Sequence, residues 1–280
     1  MATRWGIISA GRISCDFAAA VQLVQKEVVA VAARSLQDAK NFAAKYGIEK
    51  AYGSYSEMAK DPNVDVVYIG TINTHHLPVS SQMLKAGKPV LCEKPLCMNV
   101  RETQQLVQTA RECGVFLMEA VFSRFFPAYK ELSRRLQDGE IGEVVQVIAS
   151  LGKNLIHLDK LMHPEMGGCT TLSLGIYPIQ VASLAMGGDK PLKVVAGGHL
   201  IDQGVEVTTS ACLVYSKGRV ASLSESVTAD LPSEAFIVGT KGTIKDCWRA
   251  PGCLMPRVSL AEVKEEIRIQ VGTVYPQDTV

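Results

Sequence analysis

The chain has 280 residues, 47% of them hydrophobic and 20% charged, with a formal net charge of +1. That length suits one large or two medium domains. So even a charge balance supplies no field to draw nucleic acid or a membrane surface. Small basic clusters such as Arg134-Arg135 read as solvated helix faces.

The first residues, Met1-Ala-Thr-Arg-Trp5, run into a strand-like segment without the apolar core and small-residue cleavage site of a signal peptide. No apolar run reaches the roughly 18 residues of a membrane span. The eight cysteines are scattered, with no CxxC pair and no Cys/His cluster at zinc spacing. A chain of this size needs no disulfides, so they read as reduced thiols in a cytoplasmic protein. His75 and His76 are adjacent, so their side chains point apart and do not make a metal pair.

Residues 5–9 form a short apolar strand. Residues 15–25 predict a helix, with Phe17, Ala20, Val21 and Val24 at helical spacing. Residues 28–33 read as a strand buried on both faces. Ser35 caps a helix over 36–46 that stops at Gly47. A short helix over 55–60, a strand over 64–70, a helix over 77–86 and a strand over 88–92 follow. A helix over 100–113 ends at Gly114, and 115–119 is a strand. Strands separated by helices imply right-handed crossovers and a parallel sheet. Beyond residue 120 the pattern changes. A charged helix over 127–138 and an apolar helix over 176–186 accompany strands at 144–151, 193–199, 207–215, 219–226 and 235–238. The sequence therefore predicts an α/β protein: a Rossmann dinucleotide-binding domain over 1–120, then an α+β domain over 121–280 with a mostly antiparallel open sheet.

Four strand ends carry residues suited to one crevice. The first turn, Ser9-Ala10-Gly11-Arg12-Ile13-Ser14, occupies the place of a G-x-G-x-x-G fingerprint and keeps its central glycine, the one that lets backbone approach a pyrophosphate. The helix behind it offers free N–H groups to phosphate. The second strand ends in Arg34-Ser35, where NAD sites usually place an acid. An arginine there accommodates a 2′-phosphate, which favours NADP. The third ends in Gly70-Thr71-Ile72-Asn73-Thr74-His75-His76, with Thr71, Asn73 and His76 expected on the cofactor's ribose–nicotinamide side. The fourth ends in Glu93-Lys94-Pro95, where proline stops the strand. A lysine at that edge of the crevice can handle a proton when its surroundings lower its pKa.

The order S-A-G-R-I-S, T-I-N-T-H-H, C-E-K-P resembles the glucose–fructose oxidoreductase/inositol dehydrogenase family. Arg4-Trp-Gly-Ile, Lys50-Ala-Tyr-Gly-Ser-Tyr, Phe116-Leu-Met-Glu-Ala, Arg124-Phe-Phe-Pro, Gly152-Lys-Asn-Leu-Ile-His and Gly239-Thr-Lys-Gly add to the likeness, which covers nearly the whole chain. The resemblance implies NADP as cofactor, a homodimer, and hydride transfer from a carbon bearing a hydroxyl in a trans-dihydrodiol or D-xylose. It assigns proton handling to Lys94 and a place near the same hydroxyl to Tyr177. Asn154 and His157, after a strand, are further residues for the substrate side.

Two features depart from the family pattern. Ser173 stands where the family's active-site aspartate stands, keeping a hydrogen bond but losing the charge. Such a loss costs roughly two orders of magnitude in rate, and the alternative it raises is a silent NADP-binding isoform or paralogue. Second, residues 247–256 join quickly to 260–270, which resemble the family's C-terminal helix. About fifty residues are absent by that comparison, a loss expected to uncover sheet edge or apolar surface.

Overall fold

The computed structural model describes residues 2–247, 257–260 and 263–267. They divide into two compact units, one of Met1–Val121 with Glu165–Gly167, the other of Phe122–Pro164 with Gly168–Val280.

The first unit alternates strand and helix: β1 (Arg4–Ile8), α1 (Arg12–Leu23), β2 (Glu27–Ala32), α2 (Leu36–Tyr46), β3 (Lys50–Tyr52), α3 (Tyr55–Ala59), β4 (Val66–Ile69), α4 (His76–Lys85), β5 (Val90–Cys92), α5 (Val100–Cys113) and β6 (Leu117–Glu119). The strands form a parallel sheet in the order β3-β2-β1-β4-β5-β6. This is the dinucleotide-binding order, with its switch point between β1 and β4. Successive strand residues point to opposite faces. Ile7, Val31 and Tyr68 pack under α1 and α2 with Ala18, Ala39 and Phe42. Ile8, Ala32 and Ile69 pack on the other face with Met58, Met83 and Leu106. Both faces being covered is why these strands are continuous Val/Ile/Ala runs.

Capping chemistry sets the helix ends. Ser35 Oγ accepts from Asp38 N at 3.2 Å, and Gly47 closes α2 at φ 65°. Asn99 accepts from Glu102 N at 2.9 Å, and Gly114 closes α5 at φ 64°. The first helix starts at Arg12, three residues earlier than its apolar spacing suggests, because Gly11 in extended backbone serves as its N-cap.

The second unit contains α6 (Pro127–Gln137), β7 (Val144–Gly152), α7 (Asp159–Met162), α8 (Ile176–Ala185), β8 (Lys193–Leu200), β9 (Glu206–Val214), β10 (Val220–Ser226), β11 (Glu234–Gly239), β12 (Gly242–Cys247), β13 (Arg257–Leu260) and β14 (Val263–Ile267). Among the described residues the sheet runs β14-β13-β12-β11-β7-β10-β9-β8. All neighbours are antiparallel except β7 and β10. One face, with Val147, Ala149, Leu223 and Ile237, buries itself against Leu132 of α6 and Val181 and Ala182 of α8. The edge strand β8 is exposed throughout, with Val194 57% and Val195 54% accessible.

Two expectations are corrected here. Arg135 is not a solvated surface residue: it is buried, with Nε donating to Glu131 at 2.7 Å and Nη1 to Glu140 at 3.2 Å. It follows Ala128, Tyr129 and Leu132 on the buried stripe of α6, so the helix period places it inside. Nor is the segment after Leu260 helical where it is described. Val263–Ile267 is a strand, with Val258 opposite Ile267 and Leu260 opposite Val263. The edge of β12 pairs with β13, and this long-range ladder overrides local helix propensity. The rest of the expected 260–270 helix lies outside the described residues.

Candidate functional site

The carboxyl end of the parallel sheet gathers the sequence-predicted residues of the first unit. Ser9 leaves β1 at φ 87°, a left-handed conformation in the position that the fingerprint gives to its first glycine. Ser9 N donates to Ala32 O at 2.8 Å, and Gly11 N to Ser9 Oγ at 3.2 Å, which tightens the turn. No side chain caps α1, so the amides of Arg12 and Ile13 in its first turn are left to a ligand. Behind them the helix packs hard against the β4 end. A Cβ on Gly70 would stand 2.5 Å from Ser14 Oγ and 3.1 Å from Tyr68 Cε1, so only glycine fits.

A cleft of about 660 Å³ opens beside this turn, lined among others by Ser9, Ala10, Gly11, Arg34, Ser35, Lys45 and Tyr55. Arg34 is exposed at the end of β2. Lys45 and Tyr55 were not foreseen. Asp38, Phe42 and Lys45 all line the cleft from α2, and their spacing by four and three residues is the signal that would have found them. Uncapped helix amides, a glycine-bearing turn and two cations against one acid fit a phosphate-rich dinucleotide.

The β4 and β5 ends are tied together. Tyr68 donates to Glu93 Oε1 at 2.7 Å, and Glu93 Oε2 accepts from Lys94 N at 3.2 Å. Glu93 N donates to Ile69 O at 3.0 Å. Burial, then the Glu93 carboxylate, pushes the Tyr68 phenol far above its ordinary pKa, so it stays a donor. Lys94 is half-buried at the mouth of β5. Thr71 Oγ1 is buried without a hydrogen-bond partner among the described residues, which leaves it a donor for a bound group. Asn73 Nδ2 donates to Gly167 O at 3.0 Å, so that amide is engaged in holding the return segment.

His76, expected on the cofactor side, lies between the β4 and β5 loops. Its side chain is fully buried, with Nδ1 2.7 Å from Pro95 O and Nε2 3.2 Å from Thr71 O. Two carbonyls favour a doubly protonated ring, but burial opposes it and prevails, so its pKa falls. His76 thus braces the two loops.

In the second unit, a π-helical turn, Thr171–Gly175, carries Ser173 and leads directly into α8. Such turns are rare and favour functional sites. Ser173 N donates to Cys169 O at 3.1 Å. Tyr177 lies in the first turn of α8, half-buried, its ring edge-on to Phe122 at 5.7 Å. Glu206 accepts from Cys169 Sγ and Thr171 N, each at 3.1 Å, and from Thr209 Oγ1. Asn154 and His157 are exposed beyond β7.

Residues 3–121 match the family model described as an oxidoreductase family with an NAD-binding Rossmann fold, and residues 129–245 match the GFO/IDH/MocA C-terminal domain. The trans-1,2-dihydrobenzene-1,2-diol dehydrogenase of Danio rerio is 48% identical over 248 residues, covering 88% of this chain and 74% of that protein. The Bos taurus protein of the same name is 44% identical over 333 residues, an alignment that covers 99% of each chain, so it carries residues that this chain lacks. Among solved structures, the 3-ketoreductase KijD10 of Actinomadura kijaniata, in complex with NADP and TDP-benzene, superposes with a TM-score of 0.84. It is 26% identical over 98% of this chain and 85% of its own. The chain belongs to the GFO/IDH/MocA family of NAD-binding oxidoreductases and is a nicotinamide-dependent dehydrogenase.

Proposed function

We propose that this dehydrogenase oxidises trans-dihydrodiols of aromatic hydrocarbons, and D-xylose, with NADP as its cofactor. The observation that carries the reading is the β5 end, where Lys94 stands half-buried on a backbone fixed by buried Glu93. The names of the relatives supply the dihydrodiol. Arg34 at the end of β2, in one cleft with Lys45 and without an acid in the ribose position, supports a 2′-phosphate and hence NADP over NAD.

When bound, the nicotinamide accepts a hydride from the carbon that bears the hydroxyl. The residues of this chain do the rest. The α1 amides and Gly11 hold the pyrophosphate, and Arg34 with Ser35 holds the ribose phosphate. Lys94 Nζ takes the hydroxyl proton, and the Tyr177 phenol orients the same oxygen. Ser173 offers that oxygen a hydrogen bond without a charge.

The protein acts in the cytoplasm as a homodimer. Support for the first is six free cysteines among the described residues, with no described helix long and apolar enough to cross a membrane. Support for the second is the uncovered edge strand β8 with Leu192, Val194, Val195 and Leu200 exposed.

The test is NADP+ reduction with a trans-dihydrodiol and with D-xylose, beside NADPH binding by fluorescence and sedimentation of the same sample. Turnover and a dimer are expected. Binding without turnover would instead favour a silent nucleotide-binding protein, the reading that uncharged Ser173 supports. Restoration of turnover by Ser173→Asp would then locate the defect.

A further inference from the structure

Beneath the turn that carries Ser173 lies a carboxyl group that the proposed reaction leaves unused. Glu225 is on β10, 3% exposed, on the same strand face as buried Ala221 and Leu223. Strand alternation calls for an apolar residue there, yet the chain holds an acid. Its Oε1 accepts from Thr171 Oγ1 at 3.1 Å. Its Oε2 is buried with no hydrogen-bond partner among the described residues. Gly175 rests directly on it: a Cβ there would come within 2.9 Å of Oε1. Tyr177 follows two residues later.

A second acid, Glu206 of β9, faces the same turn. Glu206 has three donors aimed at it, from Cys169, Thr171 N and Thr209, whereas Glu225 has one. Across the ladders Glu225 stands opposite Leu151 of β7 and Thr209 of β9, which bring no charge. Burial pushes the Glu225 carboxyl up, the Thr171 hydroxyl pulls it down, and the charge of Glu206 pushes it up again, with a net rise. Burial likewise pushes the Cys169 thiol up to about 11, so it remains a donor to Glu206. Two acids in unlike surroundings divide their roles, and an anion with a bare buried oxygen is the costlier state.

We propose that Glu225 is a positioning residue: its carboxyl gains and loses a proton, and its protonation state sets the Thr171–Gly175 turn and with it Ser173 and Tyr177. The inference rests on the reading above only in taking Tyr177 as part of the active site.

The test uses the full chain and its Glu225→Gln variant, which keeps the shape and the Thr171 hydrogen bond but cannot ionise. In wild type, the backbone amide NMR signals of Thr171, Ser173 and Tyr177 should titrate with one midpoint above the ordinary glutamate value. In Glu225→Gln that titration should vanish. In turnover, Glu225→Gln should lower kcat about tenfold and flatten the acidic limb of its pH profile, with KM for NADP+ unchanged. Amides that do not titrate together, or that titrate identically in the variant, overturn the proposal. So does a kcat profile indifferent to the substitution. If wild type binds NADPH without turnover, the reaction is wrong, and the amide titration alone decides for or against Glu225. If wild type turns over and the amides are silent, Glu225 alone is wrong. Should the glutamine variant misfold, Glu225→Asp, which keeps a carboxyl on a shorter arm, should move the shared amide midpoint, and an unmoved midpoint overturns the proposal.

Discussion

The phenol of Tyr68 and the carboxylate of Glu93 are joined by a buried hydrogen bond of 2.7 Å that links the ends of β4 and β5. The Tyr68 ring also stacks on Phe17 of α1, with centroids 3.8 Å apart and planes 2° from parallel. One side chain therefore fixes the first helix and the residue before Lys94. Tyr68→Phe keeps the stacking and removes only the donor. The loss should be about 1–3 kcal/mol of folding free energy, the cost of stranding a buried acceptor. It would be read as a lower urea midpoint at constant m-value, and an unchanged midpoint would show that the bond contributes nothing.

Arg34 is expected to choose between the two nicotinamide cofactors. Replacing it with alanine removes a charge-assisted contact worth about 1.5–3 kcal/mol, so KM for NADP+ should rise roughly 10- to 150-fold while KM for NAD+ barely moves. A parallel rise for both cofactors would mean that Arg34 does not reach the 2′-phosphate.

Lys94→Met keeps the length of the side chain and removes its proton chemistry. We expect kcat to fall at least about 100-fold, with NADPH affinity by fluorescence titration retained. A variant that turns over normally would remove Lys94 from the mechanism.

Asp65 reports on the acid range. Its carboxylate accepts from Arg4 Nη2 at 2.7 Å and from Arg4 N at 2.9 Å, and this guanidinium holds its pKa down at about 2. A lowered folded pKa means stability that is present above the unfolded value near 3.9 and is lost as pH falls through the folded one. The Asp65 carboxyl carbon, followed by NMR, should titrate near 2 in wild type and higher in Arg4→Ala, which keeps the backbone donor but loses the guanidinium. A wild-type midpoint at the ordinary value would show the pair to be open in solution.

Much of the first unit was legible because its signals are local. Continuous Val/Ile/Ala runs marked strands buried on both faces, and Ser35 with Gly47 bracketed α2 to the residue. The elements that escaped depend on distant partners. The three-residue β3 has too little sequence to show a period and is held by pairing with β2. The strand beyond Leu260 forms on an edge that only the assembled sheet provides. Arg135 and Glu225 were readable in principle, one from the helix period of α6 and one from the alternation of β10, since each sits in an apolar register. For Arg135 charge alone suggests surface, and periodicity places it inside. For His76, the two carbonyls against its ring show a bracing role that type and position at a strand end do not reveal. The π-helical turn before Tyr177 has no period to betray it.

The return of Glu165–Gly167 to the first unit has a consequence for how the chain can be divided. Asn73 finds its acceptor at Gly167, far beyond the last parallel strand, and Thr74 Oγ1 reaches Glu165 O at 3.4 Å. A fragment stopped after Val121 would contain every strand of the parallel sheet and still lack the carbonyl that Asn73 binds. During synthesis, the nascent sheet must wait for some forty further residues to leave the ribosome, at roughly 5–20 residues per second, before that bond closes. Exchange of halves between relatives at a single crossover would join an Asn73 from one parent to a return segment from the other. The two units are separable in space by contact, but no one cut separates them in sequence.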